Sequence, residues 1–114
     1  MAFNYDRVQR KALRLIKRFG RPDVTQPKLR RDGTDRDCVG VVIEYSPRER
    51  DLVEVGARRA LLAAKGLTVP PDYRLDELVW MGDVYKIVAP DTGPRPGGTT
   101  IYHDLQVVYN RVDA

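Results

Sequence analysis

The sequence predicts a small, mainly β domain that carries an amphipathic, basic α-helix at its N-terminus. Three patterns support this prediction: a β-hairpin at residues 77–89, alternating apolar runs at 38–45 and 100–110, and a helical apolar period at 3–20. The chain has 114 residues, of which 42% are hydrophobic and 32% charged. This length and composition are typical of one globular domain, so we expect residues 1–114 to fold as a unit.

The chain is organised around the hairpin at residues 77–89. Two runs rich in β-branched and aromatic residues flank the dipeptide Gly82-Asp83, which predicts a two-residue turn of type II′ because glycine stands first. This turn sets the register of the ribbon, in which the expected facing pairs are Trp80 with Tyr85 and Leu78 with Ile87. Both faces of the ribbon are largely apolar, so we expect it to lie within a closed or doubly covered sheet.

Residues 3–20 carry the signals of an amphipathic helix. Asn4 is a suitable N-cap, and Gly20 followed by Pro22 supplies the stop. With a helical period, the apolar side chains form one stripe, made of Tyr5, Val8, Ala12, Leu15, Ile16 and Phe19. The opposite face carries six cations, which are Arg7, Arg10, Lys11, Arg14, Lys17 and Arg18.

The positive charge of the chain is concentrated near its N-terminus. Residues 1–31 hold ten Lys or Arg and two Asp, a net charge of +8, whereas residues 32–114 hold ten basic and fourteen acidic residues, a net charge of −4. A basic helix face is often simply solvated, but here no acidic residue separates the cations, which repel one another. Nucleic acid or an acidic protein surface would relieve this repulsion. A membrane fits less well, because the apolar stripe is needed for docking on the domain.

The chain between this helix and the hairpin is harder to assign. Pro22 and Pro27 limit residues 21–31 to an edge strand or an irregular strap, and residues 32–37 are predicted to form a turn. Residues 38–45 alternate as a strand, in which Cys38 is expected to be a small packing residue. As the single cysteine of the chain, it also fits a reducing compartment.

Two interpretations of residues 52–64 remain open. Alternation of Val53 and Val55 with a glutamate, followed by Gly56, favours two strands that meet near residues 56 and 57. The alternative is a helical turn at residues 60–64, whose sequence ALLAA has a strong helix propensity.

After the hairpin come a loop and a last strand. Residues 91–98 contain two prolines and three glycines, so we expect a mobile loop, and its Arg95 lies within a Pro-Arg-Pro fragment. Residues 100–110 form the last strand. One face of this strand is expected to carry Ile101, His103, Leu105, Val107 and Tyr109.

The residue types of the chain give no signature of catalysis. His103 is the only histidine and lies on the apolar face of a strand, where a hydrogen-bonded core histidine is the expected state. One cysteine and one histidine cannot supply the four ligands of a structural zinc site. No nucleophile motif is present, and no glycine-rich phosphate loop precedes a helix. We therefore expect a binding or assembly role, with no catalytic residue, no cofactor and no metal.

Four segments, taken in order, resemble a known family. They are residues 39–50 (VGVVIEYSPRER), 55–67 (VGARRALLAAKGL), the hairpin 76–88 and the closing strand 100–108. Their order and spacing are similar to those of the small head–tail joining proteins of long-tailed double-stranded-DNA bacteriophages and gene-transfer agents. These are the head-completion, or stopper, proteins of the phage neck. The resemblance implies a mainly β fold, a small antiparallel β-barrel or sandwich, which here carries the N-terminal helix.

The resemblance also implies a function without catalysis. A neck protein of this kind assembles as a ring of six or twelve copies between the portal or adaptor on the head side and the tail terminator or tail tube on the tail side. It helps to retain the packaged DNA, and it is found in the virion and, during assembly, in the host cytoplasm. Two alternatives remain: a free, sequence-independent nucleic-acid-binding β-barrel, and a tail-completion or terminator ring protein. In each case the candidate partner- or DNA-facing residues are Arg7, Arg10, Lys11, Arg14, Lys17, Arg18 and Arg95.

Overall fold

The computed structural model describes residues 5–19 and 26–113 and contains one long helix packed against a curled antiparallel sheet of seven strands. The predicted fold class, mainly β with an N-terminal helix, is confirmed, and the sheet has the form of a half-barrel. The expected N-cap Asn4, the expected stop at Gly20 and Pro22, and the first part of the segment 21–31 lie outside the described residues.

The elements follow one another as α1 (Tyr5–Phe19), β1 (Lys28–Arg31), β2 (Thr34–Asp37), β3 (Gly40–Glu44), the one-turn helix α2 (Pro47–Arg50), β4 (Arg58–Ala63), β5 (Glu77–Trp80), β6 (Asp83–Ile87), a 3-10 turn (Pro96–Gly98) and β7 (Tyr102–Val112). Across the sheet the order is β2-β1-β5-β6-β7-β4-β3, and every neighbouring pair is antiparallel. Strands β2 and β3, which are consecutive in sequence, are therefore the two edges.

Strand β7 joins the two halves of the sheet. Its first half pairs with β4 and its second half with β6, and Val107 takes part in both ladders. The register shifts by one residue beyond Tyr109, which leaves Asn110 as an extra residue opposite β6. Such a bulge bends a strand and increases its twist. A single bent strand therefore serves both halves, and this bending curls the sheet.

The predicted alternation of the last strand is confirmed as far as Val107, whereas on β3 Gly40 and Val42 are buried but Ile43 and Glu44 are both exposed. On β7, His103, Leu105 and Val107 are buried and alternate with more exposed neighbours, although Tyr109 beyond them is exposed. The main core cluster consists of Leu29, Cys38, Val42, Ala60, Leu62, Leu78, Tyr85, Ile87, Leu105 and Val107. The Cys38 thiol donates a hydrogen bond to the carbonyl of Pro27 at 2.9 Å, and burial raises its pKa to about 12. Cys38 is thus the packing residue that the sequence predicts.

The register predicted for the central hairpin is wrong, because the turn lies one residue earlier in the chain than expected. Met81 and Gly82 occupy the turn with φ of 51° and 79°, as a type I′ turn requires. Trp80 therefore pairs with Asp83 and Leu78 with Tyr85. Each expected partner is displaced by two residues, which preserves the face of every side chain because the strand period is two. The sequence did not predict this turn because its first residue is Met81, and residues other than glycine rarely adopt a positive φ.

A second hairpin lies where a strap and a turn were expected. Asp32 and Gly33, with φ of 51° and 77°, form a two-residue turn between β1 and β2. The expected edge strand is wrong, because β1 lies between β2 and β5. Pro27 is compatible with this interior position since it precedes the first paired residue, so its missing N–H removes no ladder hydrogen bond.

Residues 58–63 form strand β4, so the helical alternative for residues 60–64 is wrong. The strand is paired on both sides, with β3 and with β7, and these ladders outweigh a helix propensity of a few tenths of a kcal/mol per residue. Of the two strands in the favoured interpretation, the second is therefore confirmed and the first is wrong, because residues 52–57 form a loop.

Candidate functional site

Helix α1 packs on strands β3, β4 and β7, and its docked side differs slightly from the predicted stripe. Ile16 is buried, and half-buried positions are Tyr5, Val8, Gln9, Ala12 and Leu13. Leu15 was expected in the stripe, but 46% of its surface is exposed. The docked side is therefore rotated toward Gln9 and Leu13. The side chain of Phe19 lies outside the described part of the chain.

Three contacts anchor the N-terminal half of α1 to the sheet. The Gln9 side-chain amide donates to the carbonyl of Thr100 at 2.7 Å, and Asp6 forms an ion pair with Lys65, the second residue after β4. Tyr5 lies against Gly97, where an added Cβ would come within 2.5 Å of the Tyr5 hydroxyl. Side chains in the first two turns of α1 therefore add specific contacts to the apolar packing that includes the buried Ile16.

The six predicted cations of α1 are all exposed, on the side opposite the docked one. They differ in their partners. Arg10 forms an ion pair with Asp6 at 3.0 Å, and the pKa of Asp6 is lowered, chiefly by its hydrogen bond from Lys65. Four other cations form no ion pair with any residue in the ranges 5–19 and 26–113. We call these four the cationic cluster: Lys11, Arg14, Lys17 and Arg18.

The loop that carries Arg95 contains a buried carboxylate that the sequence analysis missed. Asp91 accepts hydrogen bonds from the backbone N–H groups of Gly93 and Asp104, both at 2.8 Å. Its Oδ2 lies 2.6 Å from Nδ1 of His103 and 3.4 Å from Arg95. Burial acts to raise the pKa of Asp91, but the bonds from His103 and the two backbone N–H groups outweigh it and lower the pKa to about 2. Because the ionised carboxylate only accepts, Nδ1 of His103 carries the hydrogen.

These contacts hold residues 91–98 on β7. Backbone hydrogen bonds join Thr92 to Asp104 and Ile101 to Pro94. Gly93 approaches β7 so closely that a Cβ would lie 2.0 Å from the carbonyl oxygen of Tyr102. The loop is thus held on β7 by several hydrogen bonds, which the sequence-based expectation of a mobile loop did not include. The prediction that His103 is a hydrogen-bonded core histidine is confirmed.

The structure places Arg95 and the cationic cluster in different parts of the molecule. Arg95 lies on the loop whose Gly97 contacts the first turn of α1, so it belongs to the anchored end of the helix. The cationic cluster extends from the middle of α1 to its last turn. Sequence reasoning found these cations from their period. The i,i+4 spacing of Asp6 and Arg10 is also a local feature of the sequence, whereas the contact of Asp6 with Lys65, 59 residues away, is not.

Ion pairs elsewhere hold the sheet together. The buried carboxylate of Asp76 binds Arg31 through two hydrogen bonds of 2.8 Å and Arg36 through one of 3.1 Å. Burial acts to raise the pKa of Asp76, but the bonds to Arg31 and to the backbone of Asp72 outweigh it and lower the pKa. These ion pairs link β1 and β2 to the start of β5, so their role is structural.

Within the described residues, no group of three or more His, Cys, Asp or Glu side chains is arranged to hold a metal ion. No helix in this part of the chain is long and apolar enough to cross a membrane. The chain matches no protein-family model, no curated protein and no solved structure. Function is therefore inferred from the order of the elements and from the surface of α1.

Proposed function

We propose that this chain is a structural neck subunit of a phage-like particle, which joins head to tail as one copy of a ring and helps to retain the packaged DNA. One observation carries the proposal. The four segments that resemble head–tail joining proteins fold into five adjacent strands, β5-β6-β7-β4-β3, of one curled antiparallel sheet. The resemblance in sequence order thus corresponds to a continuous piece of the kind of fold that the family implies.

The surface of the sheet has the asymmetry that a ring subunit needs. Edge strand β2 has the sequence TDRD, whereas edge strand β3 has the sequence GVVIE. The loop between α2 and β4 exposes 84% of Leu52 and all of Val55. Two different edges favour a head-to-tail contact between copies, and such contacts close into a ring when the rotation permits. We place one of the two surfaces of this contact at β3 and this apolar loop.

In this proposal the ring lies between the portal or adaptor and the tail terminator or tail tube. The protein is part of the virion, and it acts without a cofactor and without catalysis. Exposed apolar side chains at one end of the sheet and exposed cations on α1 supply two separate surfaces, one for the neighbouring copy and one for a different partner.

Co-sedimentation tests this function. The purified protein is mixed with DNA-filled, tail-less particles after nuclease treatment, with free duplex DNA as a parallel sample. We expect the protein to sediment with the particles in a fixed ratio of copies per particle. The double variant Leu52→Ser/Val55→Ser should bind less, whereas Val69→Ser/Leu75→Ser, which also replaces two exposed apolar residues, should bind like the wild type. Absence of wild-type protein from the particle pellet would contradict the proposal.

A further inference from the structure

The cationic cluster forms a short row along the helix. Its members, Lys11, Arg14, Lys17 and Arg18, share one broad face of the helix. Arg14 lies three residues from Lys11 and from Lys17 and four from Arg18, whereas Lys17 and Arg18 are adjacent in sequence and lie side by side across this face. Seven residues of helix correspond to about 10 Å. Four positive charges thus lie within about two turns, all exposed to solvent.

Nothing described in the molecule compensates this row. The carboxylate of Asp6 is already engaged by Arg10 and Lys65 in the first turns of the helix. Lys17 and Arg18 lie in the last turn, where the helix dipole favours positive charge. The dipole does not act in this way on Lys11 and Arg14, which repel each other and their neighbours. The row is therefore complementary to an external anion with several charges.

We propose that the cationic cluster binds the phosphate backbone of double-stranded DNA without reading its sequence. A DNA duplex carries one negative charge per about 1.7 Å of its axis, so a row of about 10 Å faces several phosphates. Lysine and arginine contacts to phosphate supply affinity but no base specificity. This inference deepens the proposed function. It rests on that function only in identifying the bound DNA as the packaged DNA in the neck.

The structure favours DNA over the other anionic partners. A membrane-binding helix inserts its apolar side, but in α1 this side is docked on the sheet and Ile16 is buried. The centre of a protein interface is usually poor in charge and contains apolar or aromatic anchors. The cluster contains only lysine and arginine, and among the described side chains of α1 the large apolar residue that is exposed is Leu15.

A binding titration with a matched charge control tests the inference. The wild type is compared with a cluster variant, Lys11→Gln/Arg14→Gln/Lys17→Gln/Arg18→Gln, in a fluorescence anisotropy titration of a random-sequence duplex at several salt concentrations. The control variant is Arg48→Gln/Arg50→Gln/Arg74→Gln/Lys86→Gln, which removes four exposed cations from other elements and changes the net charge equally. Circular dichroism and thermal unfolding check that both variants are folded.

We expect the wild type to bind with a log–log salt slope of about −3.6, the value for four phosphate contacts. The cluster variant should lose most of this affinity and most of the slope, while the control keeps the slope and loses little affinity. Equal losses in both variants would overturn the inference, because they would report net charge and not a site. No wild-type binding at low salt would also overturn it, as would binding to anionic lipid vesicles in preference to DNA.

The two proposals fail in distinguishable ways. Binding to particles without binding to DNA would retain the neck function and overturn the DNA contact, and the cluster would then face an acidic protein. Binding to DNA through the cluster without binding to particles would support the DNA contact. That result would contradict the neck function and indicate a free nucleic-acid-binding domain.

Discussion

Asp91 and His103 form a buried pair in which the carboxylate oxygen lies 2.6 Å from the imidazole Nδ1, with 6% and 3% of the two side chains exposed. The pair joins the loop 91–98 to β7. The same loop contacts Tyr5 of α1 through Gly97. The Asp91–His103 pair is therefore one of the contacts that hold in place the loop against which the first turn of α1 lies.

The first prediction concerns acid stability. The pKa of Asp91 is lowered from 3.8 to about 2, so the stabilisation by its ionised form is present above about pH 4 and is lost as the pH falls toward 2. A shift of this size corresponds to about 2 kcal/mol. In urea unfolding, the Asp91→Asn variant should have a lower free energy of unfolding than the wild type at neutral pH. Between pH 4 and pH 2, its free energy of unfolding should fall less than that of the wild type. Asp51→Asn, at an exposed position, is the control, and parallel pH profiles for wild type and Asp91→Asn would contradict the prediction.

The second prediction concerns the contact between Gly97 and Tyr5 of α1. Gly97→Ala introduces a Cβ within 2.5 Å of the Tyr5 hydroxyl, whereas Gly98→Ala meets no atom within 4 Å. Both glycines have a positive φ, 62° and 83°, so both variants carry a similar backbone strain of about 1 kcal/mol. Only Gly97→Ala should speed amide hydrogen exchange in the first turns of α1. Equal exchange in the two variants would show that the Tyr5 contact does not hold the helix.

The third prediction concerns the buried carboxylate of Asp76. Asp76→Asn leaves Arg31 and Arg36 without their negative partner in a site where the carboxylate is fully buried. Breaking a buried pair in this way costs about 3 kcal/mol or more. Asp35→Asn, which removes a more exposed partner of Arg30, should cost less than about 1 kcal/mol. Chemical denaturation measures both, and a smaller effect for Asp76 than for Asp35 would contradict the structural role.

The fourth prediction concerns contact between copies. If β3 and the loop between α2 and β4 meet a neighbouring copy, Leu52→Ser/Val55→Ser should reduce self-association without lowering the free energy of unfolding of the monomer, because both side chains are exposed. Sedimentation velocity over a range of concentrations measures this. Val69→Ser/Leu75→Ser again serves as the control. If the Leu52→Ser/Val55→Ser variant self-associates as strongly as the wild type, the contact between copies lies elsewhere.

Periodic patterns made much of the fold predictable. The strands β3 and β7, the hairpin at 77–89 and the basic face of α1 all follow from local spacing. Three features depend on distant contacts and could not be predicted in this way. Strand β1 lies inside the sheet only because β2 folds back beside it, Leu15 is exposed because the sheet meets another side of α1, and β4 overrides its helix propensity through two ladders.

The candidate site was predictable only in part. The six cations were visible in the sequence, but the ion pair of Asp6 with Lys65, far along the chain, was not. Asp91 was hidden in a segment rich in proline and glycine. Its signal was weak: an acidic residue that precedes the final strand, with a histidine on the buried face of that strand.

The most direct test of the neck function is electron cryo-microscopy of filled, tail-less particles incubated with the protein. The proposal predicts additional ring density at the portal vertex, with six or twelve copies, in which the curled sheet of this chain can be placed. Protein spread over the capsid surface, or bound only to DNA released from broken particles, would contradict it.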